Sequence, residues 1–115
     1  MANIPPTPID LVLGDTMATY ITLLNFTEQG VKTIKELPAR ISAGRKELKA
    51  NGGKIVQYYL TLGAQDVVVI FELPDDKTTA GAMLAQAGLE NLRTTTMRAF
   101  TEPEIPVVLS IVSLS

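Results

Sequence analysis

The chain has 115 residues, the size of one domain, and combines 46% hydrophobic with 19% charged residues at a net charge of −2. It contains no cysteine and no histidine, which excludes disulfides, thiolate nucleophiles and iron–sulfur clusters and removes the commonest general base. No basic face is evident, so nucleic acid is not expected as a partner. The mean hydropathy of +0.22 is on the apolar side, which predicts that some apolar surface is shared with another chain.

The N-terminal region, residues 1–16, precedes the first predicted element of the fold. It has no basic segment, and its apolar run from Ile9 to Leu13 is too short for a signal peptide. No stretch of the sequence approaches the roughly 18 apolar residues of a membrane span. We therefore expect a cytoplasmic protein without a membrane partner.

The first strand and helix are predicted from residues 18–50. Residues 18–26 are rich in β-branched and aromatic side chains and predict a strand. A helix with Thr27 as its N-cap and an apolar stripe at three- and four-residue spacing follows. Pro38 lies inside this helix and predicts a kink or break, because proline removes a hydrogen bond and clashes with the preceding turn. The glycine-rich residues 51–53 end it.

The second half of the chain predicts three strands and one helix. Residues 54–62 and 67–73 are strands joined by a four-residue corner that suits a hairpin. The run from Val67 to Phe71 does not alternate, which indicates a strand covered on both faces. Pro74 ends this strand, Asp75 caps the second helix, and residues 92–100 form the fourth strand.

The predicted order β-α-β-β-α-β is that of a ferredoxin-like α+β fold, the split βαβ arrangement. Its helices cover one face of the sheet, so the other, apolar face needs a second copy packed against it. We therefore expect a homodimer or larger homo-oligomer with a barrel-like interior. Residues 17–102 form this domain, and residues 1–16 and 103–115 are extensions.

Each extension contains an apolar, β-prone segment flanked by proline, at residues 8–13 and 106–114. Exposed apolar strands of this kind promote aggregation unless they are paired. Three arrangements remain open: the segments add strands to their own sheet, swap onto the dimer partner, or dock on another protein.

Three segments, FTEQGVKTIKELPAR, YYLTLGAQDVVVIFELPDD and LRTTTMRAF, occur in this order and spacing, and over residues 18–101 the chain resembles the GYD-domain family. The resemblance implies a dimeric ferredoxin-like α+β barrel and no particular activity. The corner that gives the family its name is matched by Gly63 and Asp66, while Gln65 stands where the family has tyrosine. Any proton transfer by that tyrosine is lost in this chain. The tail after Glu102 also departs from the charged helical end of relatives.

The corner residues Gly63, Gln65 and Asp66 have a structural and a catalytic interpretation. Glycine accepts a positive φ, and an aspartate side chain hydrogen-bonds turn amides, which accounts for the corner without chemistry. Alternatively, Asp66 is a carboxylate at the barrel mouth that acts as an acid or base after burial raises its pKa. The structural interpretation is favoured.

Five residues are candidate ligand contacts on the strands: Gln57, Tyr59, Thr61, Glu72 and Arg98. Alternation places Gln57, Tyr59 and Thr61 on the more polar face, assigned to the barrel interior, and turns Tyr58 towards the helices. Arg98 shares a face with Thr94 and Thr96; it either forms an ion pair with Glu72 or remains free to bind an acidic ligand.

Three functions follow from these features. The first is a non-catalytic small-molecule binding or sensing module that uses the barrel interior. The second is an assembly component whose apolar termini join subunits or dock on a partner. The third, a cofactor-free oxygenase or isomerase, rests on fold analogy alone. No metal and no cofactor are expected, because no ligand set or nucleophile–base pair can be drawn from the residue types present.

Overall fold

The structure, a computed structural model, describes residues 17–87 and 92–112. The strands are β1 (Ala18–Phe26), β2 (Lys54–Leu60), β3 (Val67–Leu73) and β4 (Leu92–Ala99). The α-helices are α1 (Glu28–Lys32), α2 (Leu37–Ala50), α3 (Asp76–Ala87) and α4 (Ile105–Leu109), with 3-10 turns at Ile34–Glu36 and Glu102–Glu104. The predicted β-prone segment at residues 8–13 lies outside the described residues. Within them, no helix has the length and apolarity needed to cross a bilayer.

The four strands form one antiparallel sheet in the order β2-β3-β1-β4. This is the strand order of a ferredoxin-like fold, so the predicted α+β fold is confirmed. β2 ends at Leu60, two residues before its predicted end, because the amide of Thr61 already donates to the carbonyl of Asp66 at 2.8 Å in the corner.

The first predicted helix is broken, as Pro38 indicates, but the break lies ahead of the proline. α1 ends at Lys32, the turn Ile34–Glu36 follows, and Pro38 sits in the first turn of α2. A proline is tolerated there because its missing N–H would have no partner inside the helix. Thr27 caps α1 by accepting a hydrogen bond from the amide of Gly30 at 3.2 Å, as predicted.

The two faces of the sheet are unequally covered. The core lies on the face beneath α2 and α3, where seven side chains are buried: Ala18, Tyr20, Leu24, Val67, Val69, Phe71 and Leu73. The opposite face carries Ile21, Leu23, Val68 and Ile70, which the described residues bury only in part. We call this second face the open face.

The C-terminal segment differs from its prediction. Residues 106–114 were expected to be β-prone, but the chain forms the turn Glu102–Glu104 and then α4. A capping box between Thr101 and Glu104 starts this turn, and Pro106 lies in the first turn of α4. Both are helix-start signals, and they outweigh the β-branched composition of the segment.

Candidate functional site

The corner between β2 and β3 is held by hydrogen bonds to the end of β1. Gly63 adopts a φ of 113°, the positive φ expected for glycine at this corner. Asp66 Oδ2 accepts a hydrogen bond from the amide of Phe26 at 2.9 Å. The amide of Asp66 donates to the carbonyl of Leu24 at 2.9 Å and to Asn25 Oδ1 at 3.0 Å. Asp66 therefore joins the hairpin to a strand 40 residues away in sequence.

Gln65 and Thr61 complete the same hydrogen-bond network. Asn25 Nδ2 donates to Gln65 Oε1 at 3.3 Å, and the Thr61 hydroxyl donates to the carbonyl of Gln65 at 2.5 Å. The glutamine at the family's tyrosine position thus receives a hydrogen bond from β1. These contacts favour the structural interpretation of Asp66, with its carboxylate as an acceptor for a backbone amide of β1 rather than for an amide of its own turn.

Gln57 and Tyr59 lie on the open face, where the pairing register places Gln57 opposite Ile70 and Tyr59 opposite Val68. Tyr59 is 49% exposed. Tyr58 points to the helix side, as expected from alternation, and burial raises its pKa above the ordinary value. A β-bulge interrupts the pairing between Ile55 and Gln57, and from Gln57 onwards the residues of β2 alternate regularly between the two faces.

Glu72 also lies on the open face, on β3 next to the edge strand β2. Its Oε1 is 3.8 Å from Nζ of Lys54, the residue directly opposite on β2. Lys54 is largely exposed, so this ion pair stabilises the sheet only weakly.

Neither alternative for Arg98 holds: it does not pair with Glu72, and it is not without charged partners. Arg98 is opposite Tyr20 in the register, which puts it on the helix side with Thr94 and Thr96, whereas Glu72 is opposite Thr19 on the open face. The charged partners of Arg98 are instead Asp76, with Nε 3.7 Å from Oδ1, and Glu104, with Nη2 4.0 Å from Oε2. The two residues therefore cannot meet, because the sheet separates them.

Arg98 lies at the centre of a polar cluster that the sequence reasoning missed. Its guanidinium carbon is 4.5 Å from the centroid of the Phe100 ring and 5.5 Å from that of Tyr20, at cation–π distances. One Nη donates to the carbonyl of Thr19 at 3.2 Å and also to the carbonyl of Ala99. The Tyr20 ring stacks on Phe71 with the centroids 5.5 Å apart.

The hydroxyl of Tyr20 and the carboxylate of Glu104 close this cluster. Burial raises the pKa of Tyr20, and its hydrogen bond to Asp76 raises it further. Glu104 is buried, and its Oε1 accepts from the amide and the hydroxyl of Thr101 at 2.8 and 2.9 Å. The Thr101–Glu104 spacing of a capping box was the one sequence signal that could have located this end of the cluster.

A cleft of about 200 Å³ opens beside the cluster, lined by Met17, Ala18, Pro74, Asp75, Asp76, Arg98 and Glu104. Arg98 pairs here with Asp76 and Glu104, and these contacts hold the Glu102–Glu104 turn against the end of the sheet. Asp75 caps α3 by accepting from the amide of Thr78 at 2.8 Å, and this hydrogen bond lowers its pKa.

Comparison with known proteins finds a matching family profile, a curated relative and solved structures of similar fold. The GYD domain profile matches residues 20–108. A Thermus thermophilus protein named "Glutamine synthetase and cystathionine beta-lyase binding protein" is 36% identical over 84 residues, covering 72% of this chain and 88% of the relative. The crystal structure of MtbAldR superposes with a TM-score of 0.61 over 89% of this chain and 62% of that protein. At 12% identity, this last likeness shows the fold alone.

Proposed function

The chain belongs to the GYD-domain family, and from that premise we propose that it is a non-catalytic binding protein that pairs with a second copy and attaches to a partner enzyme. The observation that carries this proposal is the exposed apolar segment at residues 105–112, which we call the C-terminal apolar segment. It includes Leu109, Ile111 and Val112, which are 57%, 86% and 53% exposed. An apolar surface of this kind marks a site of interaction.

Pairing with a second copy is the first step of the proposal, and its support is the open face. Four strands of about seven residues make a face of roughly 19 by 24 Å, or about 460 Å² before the side chains are counted. The centre of this face is apolar, and monomers rarely expose contiguous apolar patches larger than a few hundred Å². Ile21, Leu23, Val68 and Ile70 occupy its centre, so a copy packed face to face would remove them from water.

Attachment to an enzyme is the second step, and it uses a surface separate from the open face. The start of the C-terminal apolar segment is fixed by Glu104, which bonds to Thr101 and pairs with Arg98. The segment is therefore presented from a definite position on the domain. The relative's name states that it binds two enzymes, glutamine synthetase and cystathionine beta-lyase. We infer that an enzyme of this kind covers the C-terminal apolar segment of this chain.

The test is direct binding to glutamine synthetase and to cystathionine beta-lyase, both purified from the organism that produces this chain. Biolayer interferometry measures the binding. We expect wild-type protein to bind at least one of them, and Leu109→Lys to weaken binding about tenfold or more, as for a central apolar contact. Val31→Lys is the matched control, because Val31 is also 57% exposed but lies on α1. Equal loss in both variants, or binding to neither enzyme, would contradict the proposal.

A second candidate is the binding of a small molecule between two open faces. Polar side chains beside the apolar centre favour it, namely Gln57, Tyr59 and the Lys54–Glu72 pair. Arg98 lies on the other face and Thr61 uses its hydroxyl in the corner, so neither contributes to this site. Native mass spectrometry of protein purified from its source tests this candidate. A retained compound that Gln57→Leu releases would support it, and a dimer of unmodified mass would count against it.

A further inference from the structure

A cavity separates the sheet from the two helices that cover it. It offers about 130 Å³ between the helix face of the sheet and the inner sides of α2 and α3, and it is partly open to solvent. Its walls are mostly apolar and include Leu24, Ile41, Leu48, Val69, Phe71 and Met83. An apolar cavity of about 150 Å³ in a protein can hold benzene, so the space suits one small ring or a branched aliphatic group.

One of the residues that line this cavity, Arg40, has a buried guanidinium nitrogen without a partner in the described part of the chain. Arg40 lines the cavity, and its Nη2 donates to the carbonyl of Thr33 and to Glu36 Oε2, both at 3.2 Å, as well as to the Thr33 hydroxyl. Its Nη1 is buried and meets no acceptor among the residues that the structure describes. A buried charged donor without an acceptor is unfavourable, so the empty position is suited to an incoming acceptor.

The charges around the cavity restrict what that acceptor is. Glu36 pairs with Nη2 of Arg40 and is largely exposed, and it makes no hydrogen bond with Nη1. The other charged residue lining the cavity is Glu47, seven residues further along α2 and thus about 10 Å away along the helix axis. Its Oε2 accepts from Gln86 Nε2 at 3.4 Å. A negative group is therefore favoured at the Arg40 end and disfavoured at the Glu47 end.

We propose that this cavity binds a small monocarboxylic acid with an apolar body, either a single aromatic ring or a short branched chain. One carboxylate oxygen accepts the hydrogen bond from Arg40 Nη1, and the body fills the space above Val69 and Phe71. A phosphate does not fit this chemistry, because most of the wall is apolar and one donor is free. The site lies on the helix side of the sheet, so it depends neither on pairing through the open face nor on a partner enzyme.

Entry from solvent is consistent with the way α2 covers the cavity. None of the residues of α2 is buried, so this helix rests on the sheet without being enclosed. Gly44 faces the cavity from the middle of α2, and a Cβ built on it would meet nothing within 4 Å. The helix therefore leaves free volume at its centre, where a larger side chain would occupy the cavity.

The proposal is tested by thermal shift and calorimetry on the full chain with benzoate and 3-methylbutanoate as probes. Acetate serves as a carboxylate without an apolar body, and benzyl alcohol as a ring without a charge. We expect benzoate or 3-methylbutanoate to bind at millimolar concentration, with both control compounds weaker by about tenfold or more, since each lacks one of the two recognised features.

Two variants locate the binding. Arg40→Met keeps an apolar stem of similar length and is expected to weaken binding about tenfold or more, whereas Arg45→Met, at an exposed position of the same helix, leaves it unchanged. Gly44→Leu fills the cavity, should raise helix stability, and is expected to abolish binding. No binding of either acid to wild-type protein, or undiminished binding to Arg40→Met or Gly44→Leu, overturns the proposal.

Discussion

The hydroxyl of Tyr20 donates a hydrogen bond to Oδ1 of Asp76 at 2.5 Å, which joins β1 to the first turn of α3 across 56 residues of sequence. We expect Tyr20→Phe to lower the free energy of unfolding by about 1 kcal/mol, the usual net contribution of one hydrogen bond. Urea denaturation measures this. Tyr59→Phe is the control, because the Tyr59 hydroxyl has no partner among the described residues, and a change as large as that of Tyr20→Phe would argue against the assigned role.

Stability at alkaline pH should depend on two tyrosines. Burial raises the pKa of Tyr20 and of Tyr58 above the ordinary value of 10.0. Above that pH the unfolded chain loses protons that the folded chain keeps, so the free energy of unfolding falls as the pH rises through the raised pKa values. The double variant Tyr20→Phe/Tyr58→Phe lacks both groups. We expect its urea midpoint to fall less steeply than that of wild type between about pH 9 and 11. A slope equal to that of wild type would contradict the assignment.

Stability at acid pH should respond to the cap of α3. The backbone hydrogen bond from Thr78 lowers the pKa of Asp75 below 3.8, so this contribution is present above that pH and is lost as the pH falls through the lowered value. Asp75→Ala should therefore melt below wild type at neutral pH and converge with it in acid. Asp75→Asn keeps an acceptor without the charge, and in thermal melts it should lose only the pH dependence of the cap.

The carboxylate of Asp66 should matter as an acceptor and not as a charge. Asp66→Ala leaves the amide of Phe26 without its partner and is expected to cost about 1–2 kcal/mol of unfolding free energy. Asp66→Asn offers an amide oxygen at the same place and should stay closer to wild type. Chemical denaturation of the two variants compares them, and the reverse order would restore a role for the charge.

Pairing through the open face is tested by one charge at its centre. Ile70→Asp places a carboxylate between Ile21 and Gln57 in the register, and we expect it to convert a dimer into monomers. Leu84→Asp is the control, because Leu84 is 75% exposed on α3, away from the sheet. Light scattering coupled to size-exclusion chromatography gives the mass of each. A monomeric wild-type protein would contradict pairing through this face, as would an Ile70→Asp dimer.

The sheet could be predicted from local patterns, because β-branched residues and the corner at Gly63 identify the strands directly. The C-terminal helix could not be predicted from composition, since Val107 and Val108 favour a strand and only the capping box and Pro106 indicate otherwise. The residues at the start of this segment therefore determined that it is a helix, although the β-branched residues within it favour a strand.

The candidate site was predictable only in part. Alternation grouped Arg98 correctly with Thr94 and Thr96, but it cannot say which face that group occupies. That depends on the register of two strand pairs, which puts Arg98 opposite Tyr20 and Glu72 opposite Thr19. Because Tyr20 and Thr19 are neighbours on one strand, their partners lie on opposite faces. Glu104, which also pairs with Arg98, follows the last strand of the sheet. The two-residue alternation of the strands therefore gives no information about where its side chain lies.

The strand order has a consequence for how the chain is made. β1 is the first of the four described strands to leave the ribosome, yet it lies inside the sheet between β3 and β4. Both of its hydrogen-bonding edges stay unfilled until residues 67–99 have been synthesised. Closure of the sheet is thus delayed until β4 has been made, and among the four strands Ala18–Phe26 is the one that a chaperone has longest to bind.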